Sequence, residues 1–115
     1  TPERVKESPF LNVNPRFLEP NLSENIKAVE GFQKLAKDYG LSTAGLAIAW
    51  LIAKDMHIIP IPGTRSTIHL KEMIKGTEKN LTQTDINEIE KTLPVGWAHG
   101  DRYSDIQWIG PEKYC

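Results

Sequence analysis

The stretch Ile58-Ile59-Pro60-Ile61-Pro62-Gly63-Thr64-Arg65-Ser66 decides how the rest of this chain is read. Residues His57 to Ile61 form a short run, rich in β-branched side chains and apolar on both faces, which is the pattern of a buried parallel strand. Pro60 cannot donate to a sheet ladder, so regular pairing is expected to stop near it. Beyond Gly63 a helix is predicted from about Thr67 to Lys75, with Ile68, Leu70, Met73 and Ile74 as its apolar residues and Gly76 as its stop.

A strand that passes through Pro62-Gly63-Thr64-Arg65-Ser66 directly into a helix makes a candidate anion site for three additive reasons. Gly63 lets the backbone approach a ligand closely. The free amides and positive dipole end of the helix point at that ligand. Arg65 adds a forked positive charge, and Thr64 and Ser66 add hydroxyl donors. The plainer reading is a turn glycine followed by an ordinary Ser or Thr helix cap, which needs no ligand. The segment is neither a Walker A loop, which ends in Gly-Lys-Ser/Thr, nor a GxGxxG turn.

Working outward, residues 1–22 hold Pro2, Pro9, Pro15 and Pro20 without a sustained period and read as a loop. Ser23 caps a predicted helix with Ile26, Val29, Phe32, Leu35, Ala36 and Tyr39 on one stripe, ended by Gly40. A second helix starts at Ser42 or Thr43 and runs to about Lys54. Leu46, Ile48, Trp50, Leu51 and Ile52 surround it with apolar side chains, so it calls for cover on several sides. Leu81 and Ile86 flank Thr82 at the two staple positions, and Asp85 stands three residues on, which together predict a capping box. The helix that follows carries Ile86, Ile89 and Leu93 and is ended by Pro94 and Gly96. Residues 94–115 are an aromatic tail with Trp97, Tyr103, Trp108 and Tyr114 but no period. The order for 23–93 is therefore helix, helix, strand, helix, helix, with one strand that lacks a partner in the sequence.

Composition narrows the function classes. The chain has 115 residues, room for one domain or a piece of a larger one, with 39% hydrophobic and 25% charged residues. Fourteen Lys and Arg against fifteen Asp and Glu give a net charge of -1, and no block of like charge, which excludes general nucleic-acid or acidic-membrane binding. Ala36 to Ser42 leading into a helix imitates a helix-turn-helix, but Ala44 to Ala53 offers no polar side chain to base edges. The longest apolar run, Ala44–Ala53, is far below the roughly 20 residues of a membrane span. Cys115 is the single cysteine, and no signal peptide opens the chain, so a cytoplasmic, reducing location is expected. The chain opens on Thr1 rather than Met and reads as part of a longer or processed protein. His57, His69 and His99 are too scattered for a metal cluster.

Ile61-Pro62-Gly63-Thr64-Arg65, followed by His69-Leu70-Lys71-Glu72-Met73, resembles the last strand and helix of the aldo-keto reductase family. The resemblance extends through Leu22-Ser23-Glu24-Asn25, Leu46-Ala47-Ile48-Ala49-Trp50-Leu51, Leu81-Thr82 and Gly100-Asp101-Arg102-Tyr103, and so covers nearly the whole chain. It implies an α/β fold, the C-terminal portion of a (β/α)8 TIM barrel, predominantly helical with about one strand in this chain.

The implied cofactor is NADP. Gly63, Thr64 and Arg65 would meet its 2'-phosphate and ribose, His69 would stand near that phosphate, and Glu72 would meet the adenine. Met73 departs from the family's usual Asn and would pack on the ring instead of hydrogen-bonding its edge. Trp97, Tyr103 and Trp108 would wall the substrate opening.

The implied partners are NADPH, a small carbonyl substrate and the remaining barrel segments, with hydride transfer reducing an aldehyde or ketone. The family's catalytic Tyr, Lys, Asp and His belong to motifs in which none of Tyr39, Tyr103, Tyr114, His57, His99 or Asp55 falls, so no catalytic residue is assigned here. The alternative is a non-catalytic helical interaction module derived from the same scaffold.

Overall fold

The computed structural model describes residues 2–109; Thr1, Tyr114 and Cys115 lie outside the described residues. Among the described residues five α-helices follow one another: α1 Pro2–Glu7, α2 Asn21–Asp38, α3 Thr43–Lys54, α4 Thr67–Thr77 and α5 Gln83–Thr92. Two single 3-10 turns, Leu11–Val13 and Pro15–Phe17, stand between α1 and α2. The chain divides into two compact units, 29–95 and the pair of segments 1–28 and 96–115.

No strand occurs among the described residues, and this corrects the expectation of an α/β portion of a (β/α)8 TIM barrel: the described fold is all-helical. The segment His57–Ile61 runs without regular structure. Ile59 is 82% and Ile61 92% exposed, where a buried parallel strand would hide both. The physical reason is that a strand exists through its ladder. β-branched composition favours a pleated backbone, but with no partner strand the amides turn to water. Pro60 and Pro62 remove two of the donors a partner would need.

The 29–95 unit is built as its periodicity predicts. Phe32, Leu35 and Ala36 of α2, Leu46 and Ala49 of α3 and Ile89 of α5 meet around Leu41 to form the core. Gly40, at φ 68°, ends α2 in the left-handed conformation. The Leu41 amide donates to Ala36 O and the Gly40 amide to Lys37 O, both at 2.9 Å, which is a Schellman closure. Lys75 Nζ adds a 3.0 Å hydrogen bond to Gly40 O. Ser42 caps α3 by accepting from the Gly45 amide, and Leu46 is fully buried, while Ile52 stays partly exposed.

Gly76 does not stop α4; it lies inside it and is buried. A Cβ there would sit on the carbonyl of Gly45, and one on Gly45 would lie 2.9 Å from Glu72 O. The backbones of α3 and α4 therefore touch at a pair of glycines.

α5 is braced by side chains. Thr82 and Asp85 complete the predicted capping box. The Tyr39 hydroxyl donates to Asp85 Oδ1 at 2.7 Å and lies 3.2 Å from Glu88 Oε2. Lys54 Nζ pairs with Glu90 Oε1 at 2.7 Å, and Trp50 Nε1 donates to the same oxygen at 3.2 Å. The hydrogen bond from the Thr82 hydroxyl, then that from Tyr39, holds the Asp85 carboxyl down at about 2. Burial, then the hydrogen bond to Asp85, pushes the Tyr39 hydroxyl up.

In the other unit, the proline-rich stretch read as a loop contains helix and turn. Pro2 opens α1, since its fixed φ suits the first helical position and its missing N–H would have no partner there. Asn14, the buried polar residue, accepts from the Arg16 amide and donates to Arg102 O. Asn25 brackets His99, donating to its carbonyl at 2.9 Å and accepting from its amide at 2.7 Å. Arg16 Nε donates to Gly100 O at 3.2 Å. These bonds dock the tail, with Tyr103 and Trp108 packed edge to face at 5.2 Å.

Two outcomes follow. Gly76→Ala overpacks the helix contact and is expected to lower stability by about 1–3 kcal/mol in urea unfolding, whereas Gly63→Ala, with open space around its Cβ, should be near neutral. A Gly76→Ala protein as stable as the parent would show the helices free to separate. For Asp85 the folded-state value lies below the ordinary 3.8, so its contribution is present above that pH and is lost as pH falls through about 2. Asp85→Asn should flatten the stability change measured by circular dichroism between pH 4 and pH 2; an unchanged slope would show that Asp85 does not carry it.

Candidate functional site

The glycine contact between α3 and α4 fixes the position of a cleft of about 370 Å³. One wall is the first turn of α3, with Ser42, Thr43 and Ala44. The other is α4, with His69, Glu72 and Met73, and Gly63 and Thr64 of the preceding loop lie at the mouth. Met73 is buried and gives the cleft an apolar floor, while Gly63, Thr64 and His69 are exposed. Five residues named from the sequence, Gly63, Thr64, His69, Glu72 and Met73, thus line one space.

Arg65 is the sixth, and it does not line the cleft. It lies on the exposed loop between Thr64 and Ser66 and makes no ion pair among the described residues. Three lining residues were not singled out from sequence as site residues: Ser42, Thr43 and Ala44. Ser42 is legible as a helix cap, but its place beside Gly63 depends on how α3 meets α4, which no local pattern encodes.

The mouth is locally ordered by hydroxyls. The Ser66 amide donates to Thr64 Oγ1 at 3.1 Å, and the Ser66 hydroxyl accepts from the His69 amide at 3.3 Å as the cap of α4. Leu70 N donates to Ser66 O at 3.0 Å. The amides of Thr67 and Ile68 enter no hydrogen bond among the described residues, and they remain as donors at the positive end of the helix. The cap explanation and the anion explanation are therefore compatible: Ser66 is a true cap, and it leaves two amides over. The first turn of α3 lines the cleft, so the positive end of that helix dipole falls on it.

Chemically, the cleft can hold a flat apolar group over Met73 and Ala44 and an anion at the Gly63–Thr64 end. Its one acid is Glu72, and its one imidazole is His69. Of the other residues considered for chemistry, His57 lies 2.8 Å from Asp55 Oδ1, and the hydrogen bond from the His57 amide, then that from its ring, holds the Asp55 carboxyl low. Tyr39 serves the α5 brace, and His99 is held through its backbone by Asn25. Tyr103 packs on Trp108, whose indole N–H is buried without an acceptor among the described residues; Trp97 is half-buried. No group of three His, Cys, Asp or Glu among the described residues is placed to hold a metal ion. No helix of the described residues is long and apolar enough to cross a membrane.

In the unit containing 1–28, a second cleft of about 340 Å³ is lined mainly by apolar atoms, with Val5, Phe17, Leu18 and Leu22 inside and Lys6 and Glu19 among its polar lining. It brings together none of the residues named from the sequence as cofactor ligands.

Comparison with known proteins agrees with the motif resemblance. The Aldo/keto reductase family matches residues 1–94. A probable aldo-keto reductase 1 of Glycine max is 34% identical over 101 residues, which is 88% of this chain and 29% of that protein. An aldo-keto reductase of Schizosaccharomyces pombe, whose name carries NADP(+), is 28% identical over 103 residues, 90% of this chain and 30% of that protein. An aldo-keto reductase of Gibberella moniliformis is 29% identical over 106 residues, 92% of this chain and 32% of that protein. The chain thus spans about three tenths of the length of these relatives. No solved structure matches it. With the family match running over 94 residues and taking in the whole of the α3–α4 cleft, the chain belongs to the aldo/keto reductase family.

Proposed function

We propose that this chain is a non-catalytic helical module of aldo/keto reductase descent, and that its task is to grip the adenosine 2'-phosphate end of NADPH. The observation that carries the reading is the gathering of Gly63, Thr64, His69, Glu72 and Met73 around one cleft. A space of about 370 Å³ lies within the ordinary range for a small-molecule site, roughly 300–1,000 Å³, and suits half of a dinucleotide better than the whole.

The residues present fit that half. Thr64 lines the cleft with a hydroxyl, the amides of Thr67 and Ile68 are spare donors at the start of α4, and Arg65 lies on the loop beside Thr64 as a counter-charge outside the lining. Met73 and Ala44 form an apolar floor on which the adenine packs, and Glu72 accepts from its exocyclic amine. Met73 offers no hydrogen-bonding group to the base edge, so the base is held more by packing than by recognition of its edge.

The nicotinamide of bound NADPH supplies hydride chemistry. Reduction of an aldehyde or ketone belongs, in this reading, to a protein whose further segments carry the family's Tyr, Lys, Asp and His. The all-helical fold of the described residues and the lack of those motifs favour the non-catalytic assignment for the chain itself. A cytosolic setting fits a sequence with a single cysteine.

Isothermal titration of the chain with NADPH and with NADH tests the assignment. NADPH should bind about tenfold more tightly, the size of a charge-assisted hydrogen bond, and Arg65→Ala should narrow that ratio. Equal affinities, unchanged by Arg65→Ala, would remove the 2'-phosphate from the cleft.

A further inference from the structure

We propose that His69 makes the grip of the cleft on its ligand depend on pH: the protonated imidazole adds a positive charge at the phosphate end, and its deprotonation withdraws that charge. The inference rests on the reading of the cleft as a 2'-phosphate site and adds regulation to it.

His69 lines the cleft from the first turn of α4, together with Gly63 and Thr64 of the loop before it. Its backbone N–H is already taken by the Ser66 hydroxyl, so what the residue offers a ligand is its ring. Among the described residues no hydrogen bond or ion pair engages that ring, in contrast to His57, whose Nδ1 is 2.8 Å from Asp55. An imidazole is the side chain that changes charge between about pH 5 and 8 without special help.

The charged groups near it are few. Glu72, one turn further along α4, lines the same cleft. Arg65 lies on the loop before α4, outside the lining. α3, the helix packed against α4, contributes Ser42, Thr43 and Ala44 to the cleft and no charged side chain. A bound phosphate is an opposite charge that favours an imidazolium beside it, and by linkage the imidazolium tightens the hold on the phosphate. The phosphate's own second ionisation, near pH 6, works in the opposite direction, because its dianion forms as pH rises. The two titrations are therefore separable by sign.

The test titrates the full chain with NADP+ and NAD+ by calorimetry from pH 6.5 to pH 8.0, for the parent protein and for His69→Gln. NADP+ binding should weaken roughly fivefold across that range, about the effect of one unit charge at contact distance in water. The His69→Gln variant should show no weakening, and NAD+ should be insensitive to pH in both. Proton NMR of the three histidine rings gives a second readout, with saturating NADP+ moving the titration of His69 to higher pH while His57 and His99 stay in place. Weakening that persists in His69→Gln, or binding of NADP+ that ignores pH in the parent, would overturn the inference and leave the cleft assignment standing. Failure to bind NADP+ at any pH would overturn both.

Discussion

The contact between Gly45 and Gly76 is the constraint on which the candidate site depends. Two helices usually meet through side chains at 8–10 Å between axes, and here the backbones themselves meet, because neither glycine carries a Cβ to hold them apart. Glu72 and Met73 lie within one turn of Gly76, so bringing Gly76 onto Gly45 sets them beside the first turn of α3. The cleft is lined by the first turn of α3 and by His69, Glu72 and Met73 of α4, the last two within a turn of that contact. Its shape is thus a consequence of two missing side chains rather than of the residues that line it.

The remaining packing of the unit works differently. α5 contributes Ile89 to the core, and its orientation is further fixed by polar ties to α2 and α3: Tyr39 with Asp85, and Trp50 and Lys54 with Glu90. The hydrogen bond from Lys54, ahead of that from Trp50, holds the Glu90 carboxyl below its ordinary range. Each tie is partly exposed, and exposed ion pairs contribute little apiece. Their value is geometric, since an indole and an ammonium converging on one carboxylate admit few arrangements of α5 against α3. Stability therefore comes from the apolar cluster around Leu46, and register from the rim.

How far the sequence could be read follows from the range of the interactions involved. Ser42, the Thr82–Asp85 box and Gly40 are local devices closed within a few residues, and each stands where its residue type predicts. His57–Ile61 was misread because strand formation is a property of two segments, and composition reports on one. Gly76 was misread as a helix stop for a related reason: a glycine that ends a helix and a glycine that packs one look alike in one dimension. That Gly63, Thr64, His69, Glu72 and Met73 line one cleft follows from their lying within eleven residues of one another on one loop and helix. Thr43 and Ala44 were not legible as site residues, because only the α3–α4 contact carries them there.

The cleft is also electrically uneven, and this bears on which end takes which part of a ligand. Glu72 is an acid inside an anion site, which would be self-defeating if phosphate and carboxylate shared one end. They need not share it. Gly63 and Thr64 belong to the loop before α4, whereas Glu72 lies one turn of helix beyond His69 and adjoins Met73. An anion beside the loop is attracted by the α4 dipole, and one beside Glu72 is repelled by its carboxylate. A ligand anionic at one end, flat and amine-bearing at the other, meets no repulsion in one orientation and meets it in the reverse. An adenosine phosphate held as proposed above would thus have a preferred direction, with the base over buried Met73 and away from the loop.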